Sequence, residues 1–278
     1  MTQQQTKKLE PSSHNSQIFI IILSVLGISA LILICTMSFL GYKGYTNWND
    51  SLHTKIAEVT STSDFTQSLL AEAKTWEPDI NDSFDTKEYG WWDGKEPEES
   101  EYGTSINYYA DSSYMVESTA HMAFYRWMTP DYGAFDGDFY LAVEGRQISG
   151  PIDAEFGLIF RDARGRHYIF YVNGIGFYLA QLNYFDSWDT LASGSYKSVT
   201  NPLKIAYATL TPRPTPPEMT RLAVLVKGPH FYFFINDQFI SEAEDDRILA
   251  GEVGIIISLN KQDDEAVFEF DNFELRRP

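Results

Sequence analysis

The chain has 278 residues, a formal net charge of −18 at pH 7 and a single cysteine. A surface this acidic repels phosphate backbones, which excludes nucleic acid as an expected partner. With Cys35 alone, no disulfide can form within the chain, so a folded part held outside the cytoplasm has to be stabilised by its core.

Residues 1–17 are polar and read as a short cytoplasmic tail. No Asp, Glu, Lys or Arg lies between Glu10 and Lys43, and residues 18–40 are apolar apart from scattered Ser, Gly and Thr. At about 1.5 Å per residue this run covers the roughly 30 Å hydrocarbon layer, which predicts a single transmembrane helix. A cleaved secretory signal is disfavoured because Ser38, Phe39, Leu40, Gly41 and Tyr42 offer no small-residue exit. A lipoprotein attachment is disfavoured by Ile34 ahead of Cys35. Lys7 and Lys8 precede the span and only Lys43 follows it closely, so the positive-inside rule places the N-terminus in the cytoplasm and the C-terminal part outside it. The expected location is the cell membrane, single-pass.

Residues 41–77 read as a juxtamembrane stalk. Ile56, Val59, Phe65, Leu69, Leu70 and Ala73 recur at roughly helical spacing with no Gly or Pro between Trp48 and Trp76, which predicts a short helix. A coiled-coil dimerisation stalk is the alternative, and it lacks a strict heptad.

From residue 78 to 278 the period changes to two. The runs 114–116, 139–143, 156–160, 168–172, 177–179, 222–226, 231–235, 253–259 and 267–275 are rich in Val, Ile, Tyr and Phe and predict strands. Turn chemistry separates them at Asp162-Ala163-Arg164-Gly165, Asn173-Gly174, Lys227-Gly228-Pro229 and Asn236-Asp237. Short strands joined by hairpins imply an all-β fold, a two-sheet antiparallel sandwich or jelly roll. The proline-rich stretch 211–217 cannot belong to a central strand and reads as a stiff loop within the domain. Phe268, Phe270, Phe273 and Leu275 cannot share one face at strict alternation, so a bulge is expected near Asp271-Asn272. The closing strand is expected to pair with the opening segment around Phe84, and Gly157 and Gly254 are expected where neighbouring groups approach closely.

The order of these strands and turns resembles the concanavalin A-like jelly-roll superfamily, in particular its 3-keto-disaccharide hydrolase-type and laminin-G-like domains found in bacterial surface proteins. The residues carrying the likeness are Asp82-Ser83-Phe84-Asp85 with Gly90-Trp91-Trp92, Glu155 through Arg161, Tyr168-Ile169-Phe170, Phe231 through Asp237, Gly251-Glu252-Val253-Gly254 and Phe268 through Leu275. The resemblance spans roughly residues 80 to 278 and speaks to the fold far more than to any activity. It implies either a binding module or a glycoside-cleaving enzyme. In glucanases of this fold the paired carboxylates come from a Glu-x-Asp-x-x-Glu run, and this chain contains none.

Catalytic constellations are poorly represented. Glu242, Glu244, Asp245 and Asp246, and likewise Asp263, Asp264 and Glu265, are expected in solvated turns. His121, His167 and His230 stand singly, the last two at strand starts where a surface or hydrogen-bonded histidine is expected. No catalytic residue is assigned, and an enzyme is the less favoured outcome. The resemblance implies a structural calcium near the terminal strands, with Asp82, Asp85 and Asp271 as its ligands and Asp136-Gly137-Asp138 as a second set. Exposed aromatic rings that stack on sugar faces are expected at Trp127, Trp188 and Tyr132, with Trp92 plugging the end of the sandwich. These features together read as a membrane-anchored extracytoplasmic binding module for glycan or another cell-envelope ligand. A keto-sugar glycoside hydrolase and a structural or protein-interaction ectodomain are the alternatives.

Overall fold

A computed structural model describes residues 64–94, 98–185, 187–196 and 218–278. The expected transmembrane span 18–40, the tail 1–17 and the proline stretch 211–217 lie outside the described residues. Among the described residues no helix is long and apolar enough to cross a membrane.

The described residues fall in one compact unit, Ser63–Pro278. In chain order its strands are β1 (Pro78–Asp82), β2 (Glu98–Glu99), β3 (Gly103–Ala110), β4 (Ser113–Ala120), β5 (Phe124–Met128), β6 (Phe135–Asp136), β7 (Phe139–Ser149) and β8 (Glu155–Asp162). They continue with β9 (Arg166–Asn173), β10 (Phe177–Tyr184), β11 (Ser187–Ser195), β12 (Thr220–Lys227), β13 (His230–Ile235), β14 (Gln238–Glu244), β15 (Ala250–Leu259) and β16 (Glu265–Arg276). Every pairing is antiparallel. The larger sheet runs β14-β13-β12-β7-β16-β4-β3-β2 with β1 beside β16, and the smaller runs β11-β10-β9-β8-β15-β5 with β6 beside β15.

Alternation builds the core between the sheets. Phe139, Leu141 and Val143 of β7, and Leu222, Val224 and Val226 of β12, face Phe156, Leu158 and Phe160 of β8, Tyr168, Phe170 and Val172 of β9, and Ile255 and Ile257 of β15. The interleaved residues of several central strands are also apolar, which is why their sequences read as continuous hydrophobic runs. On the larger sheet these are Tyr140, Ala142, Ala223 and Leu225, and a one-helix element, residues 64–73, covers them with Leu70 and Ala73. Polar ties hold that helix down. Lys74 pairs with Asp237 at 2.7 Å, Gln67 donates to the Asp237 carbonyl at 3.0 Å, and Arg276 donates to the Trp76 carbonyl at 2.6 Å. The C-terminal part of the expected stalk is thus a piece of the sandwich unit. Its Leu-Ala stripe finds an intrachain partner in the outward-facing apolar row of β7 and β12.

The expected bulge lies where β16 slips register against β7 between Asp271 and Glu274, with Asn272 at φ 49°. It lets Phe268, Phe270, Phe273 and Leu275 all turn inward. β1 closes the unit by pairing Asp82 with Phe273. Asn236 and Asp237, both at positive φ, form the two-residue turn that joins β13 to β14. At Gly157 an added Cβ would sit 2.1 Å from the Phe170 carbonyl oxygen, and at Gly254 2.1 Å from that of Met128, so both strands need glycine to approach their neighbours.

Trp91 rather than Trp92 plugs the end of the sandwich. Its ring packs against Phe84, Tyr114 and Phe273, and its indole Nε1 donates to Asp82 Oδ2 at 2.9 Å. Trp92, on the opposite parity, is 42% exposed.

Candidate functional site

The outer face of the smaller sheet carries a second apolar row: Ile159 of β8, Ile169 and Tyr171 of β9 and Ile256 of β15. Tyr125 and Trp127 rise from β5 at one edge of the sheet, Trp188 rises from β11 at the other edge, and His167 rises from β9 between them. Tyr125 stacks on Trp127 at 5.7 Å, and its ring meets Trp188 edge-on at 5.2 Å. In a flat sheet the two edge strands would lie roughly 24 Å apart, five steps of about 4.8 Å. Contact between their side chains therefore requires this face to be concave, with the rings roofing its apolar floor.

His167 lies at the centre of the group, 5.6 Å from Trp127, 5.7 Å from Tyr125 and 5.8 Å from Trp188 between ring centroids. It is 1% exposed, and neither ring nitrogen has a hydrogen-bond partner among the described residues. The nearest acid is Asp162, with Oδ1 3.6 Å from Nδ1, too far for a hydrogen bond. A buried imidazole left unsatisfied is costly, about 1–3 kcal/mol, and such groups mark sites of binding or chemistry. The sequence expectation of a surface or hydrogen-bonded His167 is corrected here; its neighbours Tyr125, Trp127 and Trp188 all come from other strands.

Trp127 also lines a cleft of about 300 Å³ that opens between β5 and the β2–β3 edge of the larger sheet, with Glu98, Tyr102, Phe124 and Arg126 among its walls. Arg126 Nη2 is paired with Glu98 Oε2, and its guanidinium lies 5.3 Å from the Trp92 ring. Elsewhere on the concave face Glu155, opposite Asn173 and Ser258, has its carboxyl pushed up to about 7. Burial is the main cause; the charge of Asp153 adds to it, and hydrogen bonds from Ser258 and Tyr171 oppose it.

Two of the three aromatic candidates come together. Trp127 and Trp188 are 40% and 39% exposed, and Tyr125 joins them. Tyr132 does not. Its hydroxyl donates to Asp79 at 2.8 Å, and its ring packs on Phe135 and under Arg277, at the margin of the main core.

The acidic candidates do not converge into a cation site. Among the described residues no three His, Cys, Asp or Glu side chains are grouped to hold a metal. Asp82 is buried and spends its oxygens on the Phe84 N–H at 2.8 Å and the Trp91 indole. Asp85 accepts from Ser83 at 2.8 Å, and Asp271 accepts from the Asn272 N–H at 2.7 Å within the β16 bulge. Each of these carboxylates caps its own turn or bulge. Asp138 likewise caps the Gly228 N–H at 2.8 Å. Asp245, expected in a solvated turn, is instead tucked in, accepting from the Tyr168 hydroxyl at 2.6 Å and pairing with Arg247 at 2.7 Å.

The arrangement defines a class: a two-sheet antiparallel sandwich with one outer face covered by its own helix and the other a concave face roofed by aromatic rings. No family model matches the chain, and no curated protein matches it. Solved structures with similar chain paths include a carbohydrate-binding module from Bacillus subtilis, at 14% identity and TM-score 0.44, covering 68% of this chain and 96% of that one. Others are a β-glucanase from Bacillus licheniformis, at 5% and 0.48, covering 72% and 98%, and the catalytic domain of an endo-1,3-β-glucanase from Thermotoga petrophila, at 7% and 0.46, covering 73% and 98%. At these scores the likenesses carry no argument, and the sandwich stands on its own strands and registers.

Proposed function

We propose that the sandwich unit is a glycan-binding module whose ligand lies across the rings of Tyr125, Trp127 and Trp188, held outside the cytoplasm by the apolar segment 18–40. The observation that carries this reading is the ring cluster. Large aromatic side chains from opposite sheet edges meet in the open, above a buried histidine with no hydrogen-bond partner among the described residues. Flat exposed rings suit the apolar faces of sugar rings, and a buried unsatisfied imidazole suits a hydroxyl. On the larger sheet, the central outer row lies under residues 64–73.

The test is binding of the full chain to a panel of envelope polysaccharides, compared with Trp127→Ala and Trp188→Ala. Each variant is expected to lose most of the affinity while still unfolding in one cooperative transition, at a melting temperature lowered by the lost ring contacts. Wild-type affinity in both variants, or no binding of any panel member by the wild type, refutes the reading. Digestion of intact cells with an external protease checks the anchor: cleavage of the C-terminal unit is expected, and its protection refutes the orientation.

Glycoside cleavage of the keto-sugar hydrolase type has one observation in its favour, the Glu155 carboxyl held near 7 on the same face, which suits a general acid. Such chemistry needs a second carboxylate across the bond. Asp153, whose charge acts on Glu155, is occupied by Lys261 at 2.8 Å. Turnover of a 3-keto-glycoside that disappears in Glu155→Gln would establish this activity, and absence of turnover in the wild type removes it.

A further inference from the structure

Arg126 occupies the one strand, β5, that serves both the aromatic roof and the cleft beside it. Its alternation sends Tyr125 and Trp127 to the concave face, while Arg126 turns towards the larger sheet. The guanidinium is held from two sides, by the Trp92 ring at 5.3 Å and by the Glu98 carboxylate. Its Nε is buried with no hydrogen-bond partner among the described residues. Arginine presents its donors as a rigid fork matched to a carboxylate, so a guanidinium with one arm used and Nε unmet is half of a bidentate site.

The partner that uses the other arm is weakly held. Glu98 is 53% exposed at its side chain and sits in a two-residue strand paired, among the described residues, with β3 through Glu98–Ser105 and Glu99–Thr104. An ion pair with so exposed a partner contributes about 0–1 kcal/mol, so an incoming carboxylate can displace Glu98 at little cost. The cleft behind this pair has about 300 Å³, at the small end of ligand sites, and Trp127 forms its wall on the side of the aromatic roof.

We propose that this cleft takes the carboxylate of an acidic sugar residue, a uronic acid, with Arg126 binding the carboxylate in place of Glu98 while Trp127 stacks on the sugar ring. This rests on the glycan reading of the same rings and adds the ligand's charge class. The chemistry runs against the bulk electrostatics. With a net charge of −18 the protein repels anions at long range, so selection of an acidic sugar has to come from a local, desolvated cation of this kind.

The experiment measures calorimetric binding of the full chain to short oligosaccharides of galacturonic, glucuronic and mannuronic acid, and to the same oligosaccharides after reduction of their carboxyl groups. At least one acid form is expected to bind about tenfold or more tighter than its reduced form. Glu98→Gln, which removes the internal competitor at an exposed position, is expected to tighten the acid form several-fold. Arg126→Gln brings the acid form down to the level of the reduced one, and Arg126→Lys restores it in part. If Arg126→Gln unfolds, Glu98→Gln and Arg126→Lys still decide the matter. Equal binding of acid and reduced forms, both lost in Trp127→Ala, overturns the uronate proposal and leaves the glycan reading intact. Tightening absent in Glu98→Gln overturns the displacement step. No binding of any acidic or reduced oligosaccharide overturns the uronate proposal, while the glycan reading stands or falls on the polysaccharide panel.

Discussion

Glu155 gives the sharpest physical test of the concave face. It is a partly buried carboxyl whose folded pKa rises from 4.5 to about 7, chiefly because burial strips water from the charged form. The folded state therefore holds the Glu155 proton more tightly than the unfolded state does. Its contribution to stability is fully present below about pH 4.5 and is lost as pH rises through about 7. At about 1.36 kcal/mol per pH unit, the difference in unfolding free energy between wild type and Glu155→Gln should shift by about 2.5 kcal/mol against the wild type between about pH 5 and about pH 8. The glutamine cannot titrate and keeps the hydrogen bonding to Ser258 and Tyr171 available. Urea unfolding of both proteins at several pH values measures it, with unchanged m-values as the control. Two curves that run parallel to within about 0.5 kcal/mol across that range would refute the burial account of Glu155.

Other consequences are as direct. Leu70→Ala removes the side chain that seals residues 64–73 onto Tyr140 and Leu225, and should cost about 2–4 kcal/mol. Hydrogen exchange should show protection lost in the helix and kept in β7 and β12; uniform loss would mean that the helix is integral to folding rather than docked. Trp91→Phe keeps the ring in its aromatic nest but strands Asp82 Oδ2, for a loss of about 1–3 kcal/mol in thermal or chemical unfolding, and wild-type stability would contradict the hydrogen bond. Tyr132→Phe loses the bond to Asp79 and should leave glycan binding unchanged, since Tyr132 is apart from the ring cluster; a binding defect would place the ligand elsewhere.

Strands with aliphatic or aromatic residues on both faces were legible from residue types, because β7, β8, β9, β12 and β15 are central and covered twice. Strands β3, β11 and β14 are not, since polar residues interrupt their apolar rows: Ser105 and Asn107 on the buried side of β3, and Thr190 and Glu242 on the exposed sides of β11 and β14. Strand β5 is concealed for a different reason. In Phe124-Tyr125-Arg126-Trp127-Met128 the outward face is aromatic and the inward face mixes Phe124 and Met128 with Arg126, so no apolar period stands out. Parity alone separates Trp91 from Trp92, and residue type cannot supply it. Of the exposed pair, Trp188 was within reach because it sits between Ser187 and Asp189, and Trp127 because Arg126 and the Thr129-Pro130 turn lie beside it. His167 was not, because its burial comes from side chains on two other strands, β5 and β11. A signal for the docked helix did exist. The unbroken runs Phe139–Val143 and Leu222–Val226 require a cover on both faces, and Leu70 with Ala73 supplies it on one.

The ring cluster also sets the scale of the expected affinity. An aromatic side chain offers about 150–250 Å². With Trp127 and Trp188 40% and 39% exposed, stacking can remove roughly 60–100 Å² of each from water, or about 1.5–2.5 kcal/mol per ring. The two together give about 3–5 kcal/mol before the cost of association is counted, so stacking alone supports a dissociation constant no tighter than roughly 0.2 mM. A carboxylate on Arg126 adds to this only what exceeds the loss of Glu98. A single module of this kind is therefore a weak binder of free oligosaccharide. Tethering by residues 18–40 would compensate, because modules confined beside a polysaccharide layer meet repeated sugars at high effective concentration and gain avidity without new contacts. If residues 18–40 anchor the chain as proposed, soluble oligosaccharide should compete poorly with polymer on intact cells, and equal potency of the two would separate binding from anchorage.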